Sequence, residues 1–270
     1  MVHKKGSKAS VSNYRPISLT CVICKMLESM IRDHVMDHFK INKLFNNNQY
    51  GFIKGRSTTT QLLKILDEWT DYLEGEGQTD VIYTDFTKAF DKVPHKRLIH
   101  KLKAYNIDEN LIHWIIAFLT NRQQKVKING TLSEWLMVLS GIPQGTVLGP
   151  LLFLIYINDL PDVCDNFSKL FLFADDAKLY SYVKNDHDSM CLQHNINKLH
   201  QWTENWELAL NIDKCAVCRF GRNIAIKSDY YISDIKLQEV HRVKDLGIMF
   251  DEQLNSAITA MIKLTKPIQC

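Results

Sequence analysis

Phe173-Ala174-Asp175-Asp176 is the stretch that decides how this chain folds. Its two adjacent carboxylates stand between the apolar run Leu170-Phe171-Leu172-Phe173 and a second strand-like run, Leu179-Tyr180-Ser181-Tyr182. The pattern predicts a tight β-hairpin with an acidic tip. Neighbouring aspartates repel, and placing them beside buried strands is costly unless a cation neutralises them. A third carboxylate has similar surroundings: Val81-Ile82-Tyr83-Thr84 is strand-like and runs into Asp85-Phe86. Strand-borne carboxylates gathered in space are what a two-metal phosphoryl-transfer site requires. Taken singly, each has a plainer reading, a cap for Asp85 and a solvated turn for the Asp-Asp pair.

Outward from the hairpin, helical and strand periods alternate. An amphipathic helix is expected from about Ile17 to Phe39, with Leu19, Val22, Ile23, Met26, Leu27, Met30 and Ile31 at helical spacing. Ser57-Thr58-Thr59-Thr60 offers N-caps for a helix carrying Leu62, Leu63, Leu66, Trp69, Tyr72 and Leu73. After the strand ending at Asp85, Pro94-His95 opens a short helix through Tyr105, and Asp108 caps another that buries Leu111, Ile112, Ile115, Ile116 and Leu119. Asn129-Gly130 marks a hairpin between Gln124–Ile128 and Trp135–Leu139. An apolar helix follows Val147, a polar helix runs from about Asp188 to Leu208, and short strands cover Ala216–Phe220 and Val243–Ile248. Without a regular βαβ beat, this order predicts an α+β fold.

The 270-residue chain can hold one large domain or two small ones, and 46% hydrophobic residues suffice for a packed core. Net charge is +3, from 33 basic and 30 acidic residues, which neither requires nor excludes nucleic acid. The amino-terminal segment is basic: His3, Lys4, Lys5, Lys8 and Arg15 precede Glu28, the first acid. No run approaches the roughly 18 apolar residues of a membrane span. The charged start, followed by polar Ser7 to Asn13, is not a secretory signal. Seven cysteines, an odd number without such a signal, point to free thiols in a reducing compartment. Cys21/Cys24 and Cys215/Cys218 have zinc-like spacing. Core packing is favoured over zinc, the first pair on an apolar helix face and the second on opposite faces of a strand.

The motifs together are more specific than any one of them. Tyr83-Thr84-Asp85-Phe86-Thr87-Lys88-Ala89-Phe90-Asp91-Lys92-Val93-Pro94-His95 resembles motif A of the reverse transcriptases of non-LTR retrotransposons. Gly141-Ile142-Pro143-Gln144-Gly145-Thr146-Val147-Leu148-Gly149-Pro150-Leu151-Leu152-Phe153 resembles their motif B, and Phe173-Ala174-Asp175-Asp176 their motif C. Asn13-Tyr14-Arg15-Pro16-Ile17-Ser18-Leu19 and Gln49-Tyr50-Gly51-Phe52-Ile53-Lys54-Gly55-Arg56-Ser57-Thr58 are similar to the fingers motifs. Leu210-Asn211-Ile212-Asp213-Lys214-Cys215 is similar to motif D, and Val243-Lys244-Asp245-Leu246-Gly247-Ile248 to the motif leading toward the thumb. All stand in family order from about Lys5 to Leu254, and the likeness is to the jockey-like branch of mobile elements.

This resemblance implies a right-hand polymerase fold of fingers and palm, an antiparallel palm sheet backed by helices, with the thumb largely absent. It implies a fingers-like segment over 1–78, a palm over 79–254 with some fingers elements interleaved, and a divergent truncated tail over 255–270. Asp85 and Asp175 would hold two Mg²⁺ ions (Mn²⁺ the alternative), with Asp176 beside them and the Phe86 carbonyl as a further ligand. Phe90 would exclude a ribose 2′-hydroxyl, while Gln144 and Gly145 would lie along the nascent base pair and template. Arg15, with Lys5, would contact the incoming triphosphate, and Lys214 would protonate pyrophosphate.

The implied activity is RNA-directed DNA polymerisation on an RNA template, extending a DNA primer or nicked DNA target with dNTPs. The family's endonuclease and thumb regions are expected to be missing. Cytoplasmic synthesis and function in the nucleus follow by resemblance, with no membrane association. Two other readings stand: a catalytically weak or inactive remnant that only binds nucleic acid, and an RNA-templated RNA polymerase, which Phe90 disfavours.

Overall fold

The structure, a computed structural model, describes residues 2–3, 6–10, 13–74, 77–128, 130–255 and 257–259. Its helices are α1 (Val22–Ile41), α2 (Thr58–Glu74), α3 (Ala89–Lys92), α4 (His95–Ala104), α5 (Glu109–Leu119), α6 (Gly149–Ile157) and α7 (Asp186–Asn205). The chain forms two compact units that interleave in sequence, Met1–Phe45 with Lys88–Ile157, and Asn46–Thr87 with Asn158–Cys270. Most of the expected tail at 255–270 lies outside the described residues.

The second unit is built on a five-stranded sheet of β1 (Gln78–Thr84), β2 (Lys169–Phe173), β3 (Asp176–Val183), β4 (Ala216–Phe220) and β5 (Gln238–Glu239). The spatial order is β5-β4-β1-β3-β2, antiparallel except for β4 beside β5. β1 is central and buried along almost its whole length, polar Gln78, Thr79 and Asp80 included. Its odd-numbered face packs on α2. Leu62, Ile65, Leu66, Trp69 and Leu73 recur at helical spacing and meet Val81, Phe171, Tyr180 and Phe220 in one core, with the Trp69 and Phe220 rings stacked at 5.0 Å. Ser57 starts α2 through a reciprocal cap. The Thr60 amide donates to Ser57 Oγ at 3.1 Å and the Ser57 amide to Thr60 Oγ1 at 2.8 Å.

α7 covers the opposite face. Asn195 donates to Ser168 Oγ at 2.9 Å, and Ser168 is bonded to Ser181 on β3 at 2.6 Å. A separate hairpin of β6 (Arg242–Asp245) and β7 (Ile248–Asp251) adds Phe250 to the α2 side of the core.

In the first unit α6 is buried along almost its whole length, which is why its sequence lacks a polar stripe. α5 begins as expected, Asp108 accepting from the amides of Asn110 and Leu111 at 2.9 and 3.3 Å. α1 departs from expectation. Cys21 caps it, and Leu19, Val22, Ile23, Met26, Leu27 and Met30 are all exposed, while its buried residues are Glu28, Val35 and Phe39. Helical spacing fixes that these apolar residues share a stripe, not that the stripe is covered. The expectation that Cys21 and Cys24 pack in a core is therefore corrected: Cys21 is exposed and Cys24 half-buried, whereas Cys215 and Cys218 are buried.

Candidate active site

The acidic tip is a two-residue loop. Phe173 pairs with Asp176, leaving Ala174 and Asp175 between β2 and β3. Ala174 has φ of +53°, the sign a type II′ turn requires at its first loop position and one glycine usually supplies. Across the sheet, Thr84 pairs with Ala177, so the next step in that register sets Asp85 opposite Asp176. Even-spaced residues of one strand share a face, which puts Asp85, Asp176 and Lys178 on the same side of the sheet. Asp85 and Asp175 are half-buried and Asp176 reaches solvent. Protein packed around the Asp176 carboxyl, followed by the charges of Asp175, Asp245 and Asp85, raises its pKa to about 6.

Two lysines sit against this acidic group. Lys214, in the short 3-10 turn Ile212–Lys214, places Nζ 2.6 Å from Asp85 Oδ2. The turn is tied to Asp85 by main chain as well, since the Asn211 amide donates to the Asp85 carbonyl at 2.7 Å. Phe86 forms an isolated antiparallel bridge with Leu210, its ring buried. Lys178, two residues beyond Asp176, is fully buried and donates from Nζ to Asp245 Oδ2 of β6. Burial pulls the Lys178 ammonium below its usual pKa, with Asp245 opposing that shift. Neither Lys178 nor Asp245 is singled out by sequence reading. The only signal is a charged residue at an inward position of a buried strand.

The remaining expected residues lie in the first unit, apart from Lys5, which falls outside the described residues. Phe90 is half-buried, its ring stacked on Phe153 with centroids 4.4 Å apart. Gln144 donates from Nε2 to Asp91 Oδ1 at 2.8 Å, and its carbonyl accepts from the Ser18 amide at 2.8 Å. Gly145 has φ of +88°, and a Cβ there would stand 3.1 Å from Ile17 Cγ2, so the loop follows the 17–18 segment closely. Arg15, in the two-residue strand Tyr14–Arg15, is exposed. Glu28, which no sequence pattern marks, is fully buried and accepts from the amides of Val147 and Leu148 at 2.7 and 3.0 Å.

Among the described residues, no group of three or more His, Cys, Asp or Glu side chains converges as a closed metal site. The donor chemistry nonetheless fits magnesium, which takes a few carboxylates and fills its remaining positions with water and substrate phosphates. Burial is the first cause of the raised Asp176 pKa, and the negative charges of Asp175, Asp245 and Asp85, which a cation would offset, add to it. No helix among the described residues is long and apolar enough to cross a membrane.

The fold has solved counterparts. It is similar to apo telomerase from Candida tropicalis, with a TM-score of 0.57 at 12% identity over 86% of this chain and 44% of that one. Telomerase from Candida albicans in complex with a fragment of telomeric RNA gives a TM-score of 0.57 at 12% identity, over 86% and 38%. By sequence, the chain is 27% identical over 259 residues to the probable RNA-directed DNA polymerase from transposon X-element of Drosophila melanogaster. It is 28% identical over 262 residues to the RNA-directed DNA polymerase from mobile element jockey of Drosophila funebris. Both alignments cover 94% of this chain, which spans 28% of the length of those relatives. The family model described as reverse transcriptase (RNA-dependent DNA polymerase) matches residues 2–250, and with an α+β fold of that type the chain belongs to the reverse transcriptase family.

Proposed function

We propose that this chain is the polymerase portion of a non-LTR retroelement and adds dNTPs to a primer 3′-hydroxyl by copying an RNA template. The observation that supports the reading is that β1 ends at Thr84 opposite Ala177 and β2 at Phe173 opposite Asp176, so that Asp85 follows the one strand where the acidic turn begins the other. Asp85 and Asp175 would hold Mg²⁺, with Asp176 next to them and the Phe86 carbonyl as a further oxygen. Such ions, when bound, polarise the α-phosphate and the attacking hydroxyl and neutralise the pyrophosphate leaving group.

The protein's own groups divide the remaining work. Lys214, paired with Asp85, would give a proton to the departing pyrophosphate once that ion pair opens. The Phe90 ring takes the sugar-selecting role, held by its stack on Phe153. Gln144 and Gly145 would line the base pair and template, and Arg15 with Lys5 would meet the triphosphate as charge-assisted donors.

A second reading is a weak or inactive nucleic-acid-binding remnant, favoured by the Lys214 ammonium already sharing the Asp85 carboxylate. Primer extension on poly(rA)/oligo(dT) with Mg²⁺ and dTTP separates the two. Extension that disappears in Asp85→Asn and Asp175→Asn supports the polymerase. Binding of the duplex without extension supports the remnant.

A further inference from the structure

We propose that Gln49 is a positioning residue that locks the acidic turn in its strained conformation. Its amide side chain is buried, 1% exposed, and aims at the turn from outside the sheet. Oε1 accepts from the Ala174 amide at 2.9 Å and from the Gly51 amide at 2.7 Å. Nε2 is 3.4 Å from the Ala174 carbonyl, to which it donates. One side chain thus satisfies both main-chain groups of the residue whose φ is +53°. Ala174 has a Cβ and pays for that conformation, which persists only if its surroundings over-determine it.

The segment around Gln49 is itself fixed to β2, the edge strand that leads into the turn. The Leu172 amide donates to the Asn48 carbonyl at 2.9 Å, and the Tyr50 amide to the Leu172 carbonyl at 2.8 Å. Arg56 holds the other side of the segment, donating from Nη1 to the carbonyls of Asn46 and Gln49 at 2.7 and 2.5 Å. Gly51 lets the two backbones close up, since a Cβ there would stand 2.3 Å from the Ala174 nitrogen. Gln49 therefore reaches the turn along a rigid path, and Asp175 is the next residue after the one it grips. That the gripped turn presents a metal ligand rests on the polymerase reading. The grip itself does not.

The test replaces Gln49 by Met, which keeps length and removes every polar atom, alone and together with Ala174→Gly, which accepts positive φ without strain. Amide hydrogen exchange across 172–176 reads the turn, and Mn²⁺ paramagnetic relaxation reads cation binding without requiring turnover. In Gln49→Met, exchange at the turn is expected to quicken about tenfold, the worth of a hydrogen bond or two. Half-saturating Mn²⁺ should rise by a similar factor, and Ala174→Gly in that background should recover most of that rise by relieving the strain, while the amide at 174, still without its acceptor, goes on exchanging fast. Unchanged exchange at the turn in Gln49→Met, or no recovery of lost Mn²⁺ binding from Ala174→Gly, overturns the proposal. Should Gln49→Met not fold, the unmodified protein decides. A slow Ala174 amide supports the grip, and an Ala174 amide exchanging as fast as an unstructured peptide refutes it. If exchange follows the expected pattern while the unmodified chain neither binds Mn²⁺ nor extends a primer, the grip stands and the polymerase reading fails.

Discussion

Lys214 Nζ lies 2.6 Å from Asp85 Oδ2, so an ammonium group already occupies a carboxylate proposed to receive a metal ion. The lysine side chain is 63% exposed and the aspartate 33% exposed, which places the pair in the weak class of surface ion pairs. Such a pair is worth at most about 1 kcal/mol, so a divalent ion can displace it. Lys214→Met removes the competitor, and half-saturating Mg²⁺ should fall, by up to roughly fivefold. If Lys214 is also the general acid, the maximal extension rate should fall by about a hundredfold at saturating metal. A magnesium titration of extension rate reads the two effects separately. A variant that needs more magnesium than the parent contradicts the competition.

Asp176 ties stability to pH. Its pKa of about 6 in the fold exceeds the ordinary value of 3.8, chiefly through burial and then through Asp175, Asp245 and Asp85. The folded state therefore holds this proton more tightly than the unfolded state does. Between about pH 4 and pH 6 that contribution to stability declines as pH rises, and above pH 6 it stays lost. Asp176→Asn removes the decline. In metal-free buffer its Tm should exceed that of the parent above pH 6, with the gap closing toward pH 4, and Mg²⁺ should narrow the gap at neutral pH. A gap that is the same at every pH would assign the gain to something other than ionisation.

Phe90 has an observed packing contact and a proposed sugar-selecting role, which one substitution can separate. Its stack on Phe153 is worth roughly 0.5–1.5 kcal/mol beyond the area it buries, so Phe90→Val should lower Tm by a few degrees. If the ring also excludes the 2′-hydroxyl, the ratio of kcat/KM for dNTP over rNTP should drop at least tenfold at a temperature where both proteins are folded. A lower Tm with an unchanged ratio leaves Phe90 a packing residue only.

The acidic hairpin and its strands were legible because period-2 patterning, a short polar break and paired acids all agree locally. The α5 cap was legible for the same reason, Asp108 standing just before a helical stripe. The covered face of α1 is not legible, because periodicity is a property of one element while burial depends on its neighbours. Leu19 is 96% exposed and Glu28 0%, an inversion that no hydrophobicity pattern contains. Gln49 and Asp245 stand inside motifs and Lys178 outside them, yet none of the three carries a role in the sequence, for a related reason. Each is a polar residue whose partner lies far along the chain, Gln49 with Ala174 and Lys178 with Asp245, and sequence alone does not say which polar residues are turned inward. Gly51 beside Gln49 was the nearest clue, a glycine where another backbone comes close.

Glu28 supplies the last test, because it is the buried carboxylate on which the start of α6 depends. Val147 and Leu148 precede the helix, and their amides point at Glu28 Oε2, at 2.7 and 3.0 Å, as the unpaired donors of a helix N-terminus do. Cys24 adds a weaker donor, its Sγ 3.5 Å from Oε1. Truncating the acid leaves one buried and one part-buried amide without an acceptor. Each bond to a charged group is worth about 1.5–3 kcal/mol, so Glu28→Ala should lose on the order of 3 kcal/mol in urea unfolding. Glu28→Gln retains an acceptor oxygen but not the charge, and should lose only about 1 kcal/mol. The Gln144-Gly145 loop lies just before these two residues, so amide exchange at 144–148 should quicken in Glu28→Ala more than in Glu28→Gln. Equal losses in the two variants would mean that buried charge, rather than the two accepted hydrogen bonds, is what α6 requires.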